Sequence, residues 1–209
     1  MLRIGIFGGT FNPPHLGHML LAVEAMEKAE LDKLVFMPCA NPPHKTGLDI
    51  PAGEHRFNMV KLAVGENSDF FVSDMEIDAG GKSYTAKTLE RLAEKFPSDR
   101  LCFIVGADSL CEMESWFCPQ EIFKRAEIVV ALRGGMKENE LNMAIDFFTQ
   151  KYSADIRKID MKVIEMSSTD IRERIEKGKS VKYMLCDDVI DYINANGIYK
   201  GKTEAYAEN

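Results

Sequence analysis

Six short apolar runs alternate with helix-periodic segments along this chain, and that alternation restricts the folds open to it. Strands that alternate with helices form βαβ units, whose strands pair in parallel and are covered by helices on both faces. Near-continuous runs of valine, isoleucine, leucine and phenylalanine are typical of such buried strands. The sequence therefore predicts an α/β fold: a Rossmann-like, doubly wound parallel sheet with helices on both faces and further helices after the last strand.

The boundaries of these elements follow from the apolar runs and from the helical period. The predicted strands are Arg3–Phe7, Lys33–Pro38, Phe70–Met75, Arg100–Gly106, Glu127–Leu132 and Asp160–Met166. The predicted helices are Leu16–Ala29, Glu54–Glu66, Ala86–Phe96, Pro119–Arg125, Glu138–Tyr152, Thr169–Lys177 and Asp187–Asn196. We expect a single domain over residues 1–200, followed by a polar tail over residues 201–209.

Charge and hydropathy narrow the classes of partner. The 209 residues carry a formal net charge of −7, whereas a general nucleic-acid binder shows a basic face, so we expect no nucleic-acid partner. A small anionic ligand remains compatible, because a local site can be positive on an acidic protein. No apolar run approaches the length of a membrane span, so we expect no membrane partner.

The cysteines indicate the redox environment. They are five, an odd number, and no pair has the C-x-x-C spacing: Cys39, Cys102, Cys111, Cys118 and Cys186. This usage is typical of reduced thiols, and we expect a cytoplasmic protein with neither a zinc site nor a disulfide framework.

The stretch from Gly8 to His18 joins the first predicted strand to the first predicted helix. Its glycines let backbone N–H groups approach a ligand, and the following helix offers unpaired N–H groups and the positive end of its dipole. Two histidines, His15 and His18, stand at the start of that helix. The stretch predicts a nucleotide phosphate site in which imidazoles replace the usual lysine.

Further polar residues follow the second and third predicted strands. In a parallel sheet these loops emerge at one edge, where ligands of open α/β sheets bind. The long loop that begins near Asn41 is made cationic by His44 and Lys45, and it is either a binding loop or a solvated surface loop. After the third strand, the simplest role for Ser83 or Thr85 is to cap the next helix.

The fourth and fifth predicted strands are also followed by candidate ligand groups. Gly106 allows a ligand to lie close to the backbone, and Asp108 either caps a short helix or accepts hydrogen bonds from a sugar or base. Trp116, the single tryptophan, fits a core position and a stacking platform equally well. Arg133 contacts an anion, stacks on a base, or is a solvated turn residue.

A second candidate anion site follows the last predicted strand. Ser167 and Asp170 have the spacing of a capping box, which is ordinary helix capping. The same hydroxyls and N–H groups, together with Arg172, also suit an anion. Two such helix N-termini at one sheet edge predict a polyphosphate held at both ends.

These motifs resemble those of a known family. The sequence His15-Leu16-Gly17-His18 resembles the H-x-G-H motif of the nucleotidyltransferase superfamily, and Ser167 to Arg172 resembles that superfamily's second motif. Within it, the chain resembles the bacterial nicotinate-mononucleotide adenylyltransferases. The further matches are Pro42-Pro43-His44-Lys45, Ser83-Tyr84-Thr85 with Thr88-Leu89, and Gly106-Ala107-Asp108 with Trp116. Lys87 departs from the family, which usually carries an acidic residue there.

The resemblance implies a reaction and a set of residues. ATP and nicotinate mononucleotide would give deamido-NAD and pyrophosphate, with Mg²⁺ carried by ATP and few or no protein ligands to the metal. The implied catalytic residues are His15, His18 and Arg172. The implied ATP-binding residues are Gly8, Gly9, Thr10, Phe11, Lys45, Gly106, Asp108, Arg133, Ser167, Ser168 and Thr169. The implied acceptor-binding residues are Asn41, His44, Ser83, Tyr84, Thr85 and Trp116.

Two alternatives stay open at this point. A sister enzyme would use nicotinamide mononucleotide, which differs from the acid by one group. A nucleotide-sensing protein would keep the site without turnover, although it would not need all of His15, His18, Ser168 and Arg172. The partners expected in either case are small nucleotides, and a homo-oligomer is also compatible.

Overall fold

The computed structural model describes residues 1–41, 50–132, 138–160 and 166–200. The strands in these ranges are β1 Arg3–Gly9, β2 Lys33–Pro38, β3 Phe70–Val72, β4 Arg100–Gly106, β5 Ala126–Leu132 and β6 Ile156–Asp160. The helices are α1 Leu16–Lys28, α2 Gly53–Val64, α3 Met75–Ala79, α4 Thr85–Lys95, α5 Ala107–Glu112, α6 Pro119–Arg125, α7 Glu138–Tyr152, α8 Ser168–Glu176 and α9 Asp187–Ala195. A turn of 3-10 helix spans Met113–Ser115.

The six described strands form one sheet in the order β3-β2-β1-β4-β5-β6, and every pair is parallel. The chain winds outwards from β1 in one direction and from β4 in the other. The order therefore reverses between β1 and β4, and a crevice opens beyond their carboxyl ends, where open α/β sheets bind ligands. The predicted α/β fold with a parallel sheet is confirmed.

Alternate residues of the central strands pack on opposite faces of the sheet. Ile4 and Ile6 lie in a core cluster with residues of α4 and α6, whereas Phe7 lies in the cluster on the other face, with Leu21 of α1. A third cluster joins α2 to α8 and α9. Burial on both faces explains why the central strands are continuous apolar runs. Among the described helices, none combines the length and apolar character needed to cross a bilayer.

The sixth strand begins earlier than the sequence predicted. The strand observed is Ile156–Asp160, which overlaps the predicted segment at one residue, and residues 161–165 lie outside the described ranges. The observed strand is charged at Arg157 and Lys158, which pair with Glu127 and Glu138. A search for apolar runs misses a strand whose charges are neutralised by partners distant in sequence.

Smaller differences lie around the third strand. β3 ends at Val72, and the predicted continuation to Met75 instead enters the short helix α3. Five residues make little more than one helical turn, too few to show a hydrophobic period. All seven predicted helices agree with the structure to within two residues at each end. The tail over residues 201–209 lies outside the described ranges.

An ionic cluster closes the amino-terminal edge of the sheet, opposite the crevice. The carboxylate of Glu127 on β5 is 2% exposed and accepts hydrogen bonds from Arg3 at 2.9 Å, Arg100 at 3.0 Å and Arg157 at 2.7 Å. Burial raises the pKa of Glu127, but the hydrogen bonds from Arg157 and Arg3 outweigh it and hold the pKa below its ordinary value. This carboxylate therefore links the amino-terminal ends of the four strands β1, β4, β5 and β6.

We expect Glu127→Gln to lower the free energy of unfolding at pH 7 by about 2–4 kcal/mol, because a neutral amide replaces the buried carboxylate that pairs with the arginines. A lowered native pKa stabilises the fold above the unfolded-state value, about 4.3, and that contribution is lost as pH falls through the native pKa. Urea unfolding at pH 7 and pH 4 measures both effects, and the difference between variant and wild type should shrink at pH 4.

The exposed pair Lys177–Glu173 on α8 supplies the control, since Glu173→Gln removes an ion pair without burial and should change stability far less. Equal losses in the two variants would contradict a special role for the buried carboxylate.

Candidate active site

A cavity of about 670 Å³ lies at the carboxyl ends of β1 and β4. Its walls come from these strands, from α3 and α4, and from the segment around the 3-10 turn. The predicted site residues in its lining are Gly8, Gly9, Thr10, His18, Ser83, Tyr84, Thr85, Gly106 and Trp116. The structure thus brings together residues from three loops that are distant in sequence, at the position expected for a parallel sheet.

The two histidines stack at the start of α1. Their ring centroids are 3.7 Å apart, and His15, which precedes the helix, is 5% exposed. The backbone N–H of His15 donates to Nδ1 of His18 at 3.2 Å. In the neutral imidazole this places the His18 proton on Nε2, so that His18 can act as a hydrogen-bond donor without becoming charged.

A side chain in place of Gly17, the residue before His18, would crowd the ring of His15. A Cβ at this position would lie 3.0 Å from Nδ1 and 3.1 Å from Cε1 of His15. Such contacts are tighter than ordinary van der Waals packing, and the imidazole cannot retreat because it is buried. The glycine of the H-x-G-H motif is therefore explained here by the close packing of the His15 ring against the first turn of the helix.

Phe11 belongs to the core and not to the lining of the cavity. Its φ is +48°, and its ring is 2% exposed, 5.5 Å from the ring of Phe7 and 5.1 Å from that of His18. A non-glycine residue adopts this left-handed conformation only where its surroundings favour it, and here the buried ring does so. Its ring packs against that of His18, and the expected part of Phe11 in ATP binding stays a prediction.

The second motif, Ser167 to Arg172, packs against the loop between β1 and α1, called the first loop below. Backbone carbonyl groups of that loop accept its hydrogen bonds. Ser168 Oγ donates to the carbonyl of Pro13 at 2.9 Å, and Arg172 Nη1 donates to that of Asn12 at 2.8 Å. A second N–H of Arg172 reaches Thr169 Oγ1 at 3.2 Å. The two predicted anion sites are therefore adjacent, although Ser168 and Pro13 are 155 residues apart.

Capping at α8 follows the sequence prediction, since Ser167 is the N-cap residue and accepts a hydrogen bond from the N–H of Asp170 at 3.1 Å. Tyr199 also reaches this region, and its hydroxyl donates to Asn12 Oδ1 at 2.5 Å. Burial raises the pKa of this phenol, which keeps it protonated as the donor. Ser168 and Arg172 thus contact the first loop. The cavity lining includes none of the predicted residues His15, Ser167, Ser168, Thr169 and Arg172.

The segment before α4 lines the other side of the cavity. The prediction that Ser83 or Thr85 caps α4 is wrong. The N-cap residue is Tyr84, and it makes no side-chain cap. Ser83 Oγ instead accepts a hydrogen bond from the N–H of Ala40 at 2.9 Å. Asn41, which lies outside the lining, donates from its side chain to the carbonyl of Gly81 at 3.2 Å. The loops after β2 and β3 are therefore joined to each other.

Trp116 and Gly106 lie in the cavity wall, whereas Asp108 does not. Trp116 is half-buried, with its ring 6.3 Å from that of Phe103. Tyr84 and Phe117 also line the cavity, with ring centroids 4.7 Å apart and ring planes tilted by 41°. Asp108 is exposed on α5 and does not cap that helix, because Gly106 is the N-cap residue. This side of the cavity is an aromatic surface suited to a flat ring.

Two residues of the site were not predicted from the sequence. One lines the cavity, and the other contacts a lining residue. Glu76 of α3 lies in the cavity wall, where it accepts a hydrogen bond from Thr88 at 2.6 Å, and burial raises its pKa. Arg56 of α2 is 1% exposed. A signal for Arg56 existed, since it is three and four residues before Met59 and Val60, on the apolar face of a predicted helix. Glu76 lies in a helix too short to predict.

The predicted residues His44, Lys45 and Arg133 lie outside the described ranges. Within those ranges, no group of three or more histidine, cysteine, aspartate or glutamate side chains is arranged to hold a metal ion. The described site combines a glycine-containing loop, a histidine donor and an aromatic wall. These groups suit the phosphates and the ring of a nucleotide.

Comparison with known proteins identifies the family. The model of the cytidylyltransferase-like family matches residues 6–174. A probable nicotinate-nucleotide adenylyltransferase from Lachnoclostridium phytofermentans is 40% identical over 95% of this chain and 100% of its own length. Its counterpart from Clostridium perfringens strain 13 is 42% identical over 96% of this chain and 99% of its own length.

Solved structures show the same fold. A nicotinic acid mononucleotide adenylyltransferase from Plasmodium falciparum, complexed with APC, has a TM-score of 0.77 at 19% identity, covering 95% of this chain and 98% of that one. The same protein complexed with NaAD also has a TM-score of 0.77, at 20% identity over the same shares of the two chains. The chain therefore belongs to the cytidylyltransferase-like family of nucleotidyltransferases, together with the nicotinate-nucleotide adenylyltransferases.

Proposed function

We propose that this protein is a nicotinate-nucleotide adenylyltransferase, which transfers AMP from ATP to nicotinate mononucleotide and releases pyrophosphate. The proposal rests on one cavity. It is lined by Gly9 and Thr10 of the first loop, by His18, and by the aromatic residues Tyr84 and Trp116. Such a cavity can hold the reacting phosphates and the pyridine ring together. The names of the relatives, at about 40% identity over nearly the whole chain, support it.

The chemistry requires positioning and charge stabilisation. An oxygen of the acceptor's 5′-phosphate forms a bond to the α-phosphorus of ATP, while the bond from that phosphorus to the bridging oxygen of pyrophosphate breaks. The attacking oxygen is already an anion, so no enzyme nucleophile or strong base is needed. The Nε2 proton of His18 would stabilise the charge on the reacting phosphate.

The remaining roles are proposals of the same kind. Arg172 and Ser168 would hold the β- and γ-phosphates, since they lie against the first loop and Arg172 has more N–H donors than its two recorded bonds use. Lys45 and Arg133 would add cationic contacts. We propose that Mg²⁺ enters as MgATP, part of the substrate, with most of its ligands from phosphate and water. Tyr84, Thr85 and Trp116 would enclose the pyridine ring.

The decisive assay supplies MgATP with nicotinate mononucleotide or nicotinamide mononucleotide and follows pyrophosphate release, with the dinucleotide identified by mass. We expect deamido-NAD to form with the higher kcat/KM. A higher kcat/KM with the amide would assign the sister activity instead. Tight ATP binding without pyrophosphate from either acceptor would make the protein a nucleotide sensor.

We expect His18→Ala to lower kcat by about 100-fold or more, the scale of one lost transition-state donor. His18→Gln is the matched variant, because its amide nitrogen can take the place of Nε2, and it should lose less. Steady-state kinetics on variants with a wild-type circular dichroism spectrum measure the difference. Near-normal turnover in the alanine variant would remove His18 from the reacting centre.

We expect Trp116→Ala to raise the KM for nicotinate mononucleotide about tenfold, because ring stacking contributes about 1–3 kcal/mol per base in comparable sites. The KM for ATP should change much less. Trp116→Phe keeps an aromatic face and should recover most of the affinity. A loss of thermal stability with both KM values unchanged would show that Trp116 serves the core alone.

A further inference from the structure

Arg56 of α2 is the largest fully buried side chain among the described residues, with 1% of its surface exposed. Its guanidinium donates three hydrogen bonds to backbone carbonyls: Nε to Pro51 at 3.0 Å, Nη1 to Thr10 at 3.0 Å and Nη2 to Ala40 at 2.8 Å. Buried charges are usually paired with opposite charges. No carboxylate of the described ranges forms an ion pair with Arg56. Its guanidinium is held by the three carbonyl dipoles and by a longer contact of 4.0 Å from Nη1 to Cys39 Sγ.

The three carbonyls belong to separate segments of the site. Thr10 lies in the loop after β1 and lines the cavity, Ala40 follows β2, and Pro51 precedes α2. A planar guanidinium presents its donors in a fixed fork, so their mutual positions are set by one rigid group. Arg56 thereby fixes the distance between the first loop and the end of β2.

Holding a carbonyl also fixes the N–H on the far side of the same peptide. The peptide unit is planar, and its C=O and N–H point in opposite directions, so the bond to Thr10 orients the N–H of Phe11. The Phe11 ring is buried, which leaves that peptide no freedom to turn. On the other side, the N–H of Ala40 donates to Ser83, which lines the cavity next to Tyr84.

We propose that Arg56 is a positioning residue for the polyphosphate of ATP: it holds the Thr10–Phe11 peptide in its binding orientation and joins this loop to the Ala40–Ser83 contact. It does so from behind the cavity wall, without itself lining the cavity. The inference rests on the proposed function in taking ATP as the ligand of the first loop. The buried positive charge behind Thr10 suits a polyanionic ligand in front of it.

The test compares Arg56→Met, Arg56→Lys and a control, Met59→Ala. Met59 lies on the same helix and is fully buried in the cluster of α2, α8 and α9, so its truncation weakens packing while leaving the arginine in place. Calorimetric titration of the intact protein with MgATP alone gives the dissociation constant without turnover. Steady-state kinetics then give kcat and the KM for each substrate, and thermal unfolding ranks the stabilities.

We expect Arg56→Met to weaken MgATP binding at least tenfold and to raise the KM for nicotinate mononucleotide less than threefold. Arg56→Lys keeps the charge but cannot reach three carbonyls from one nitrogen, so it should weaken MgATP binding three- to tenfold. Met59→Ala should stay within twofold of wild type for both substrates despite a lower melting temperature.

Wild-type MgATP affinity in Arg56→Lys would overturn the proposal, and that variant keeps it testable if Arg56→Met does not fold. Equal losses for both substrates, or the same loss of MgATP affinity in Met59→Ala, would reduce Arg56 to a stabilising residue. These results are separable from failure of the proposed function. In that case wild type would bind MgATP but yield no pyrophosphate with nicotinate mononucleotide, and the titrations would still decide the role of Arg56.

Discussion

Parallel pairing between β1 and β4 is the constraint on which the rest of this structure depends. Because all six described strands run the same way, every loop that leaves a carboxyl end must emerge at one edge. The reversal of strand order at β1 and β4 keeps that edge open at one place. Residues of three segments that are distant in sequence, between Gly8 and Trp116, can then share a cavity.

The first loop depends on groups outside it for its shape. Its carbonyls at Thr10, Asn12 and Pro13 accept hydrogen bonds from Arg56, Arg172 and Ser168 respectively. A peptide plane whose carbonyl is held on one side presents its N–H on the other. Donors from α2 and α8 therefore fix the orientation of these peptide planes before any ligand binds, which costs less than reorganising a flexible loop on binding.

The sequence predicted the sheet, seven of the helices and the loops that meet at the ligand edge, because a period of buried residues is local information. It failed where neutralising partners are distant, as at Arg157, whose carboxylate partner Glu127 is 30 residues away. It also failed at the start of α4, where Ser83 does not cap the helix and its Oγ instead accepts a hydrogen bond from the N–H of Ala40. The burial of Arg56 could have been predicted, because it lies on the apolar face of a helix. A buried charge needs partners inside the protein, but the sequence does not show which ones.

The contact between Tyr199 and Asn12 has a consequence for how the protein is made. Tyr199 follows Asn12 by 187 residues, and its hydroxyl is one of the groups that hold the first loop. Synthesis proceeds from the amino terminus, so the loop is made before Tyr199 and lacks this hydrogen bond until Tyr199 has left the ribosome. The hydrogen bonding of the loop is therefore completed only after a further 187 residues have been synthesised.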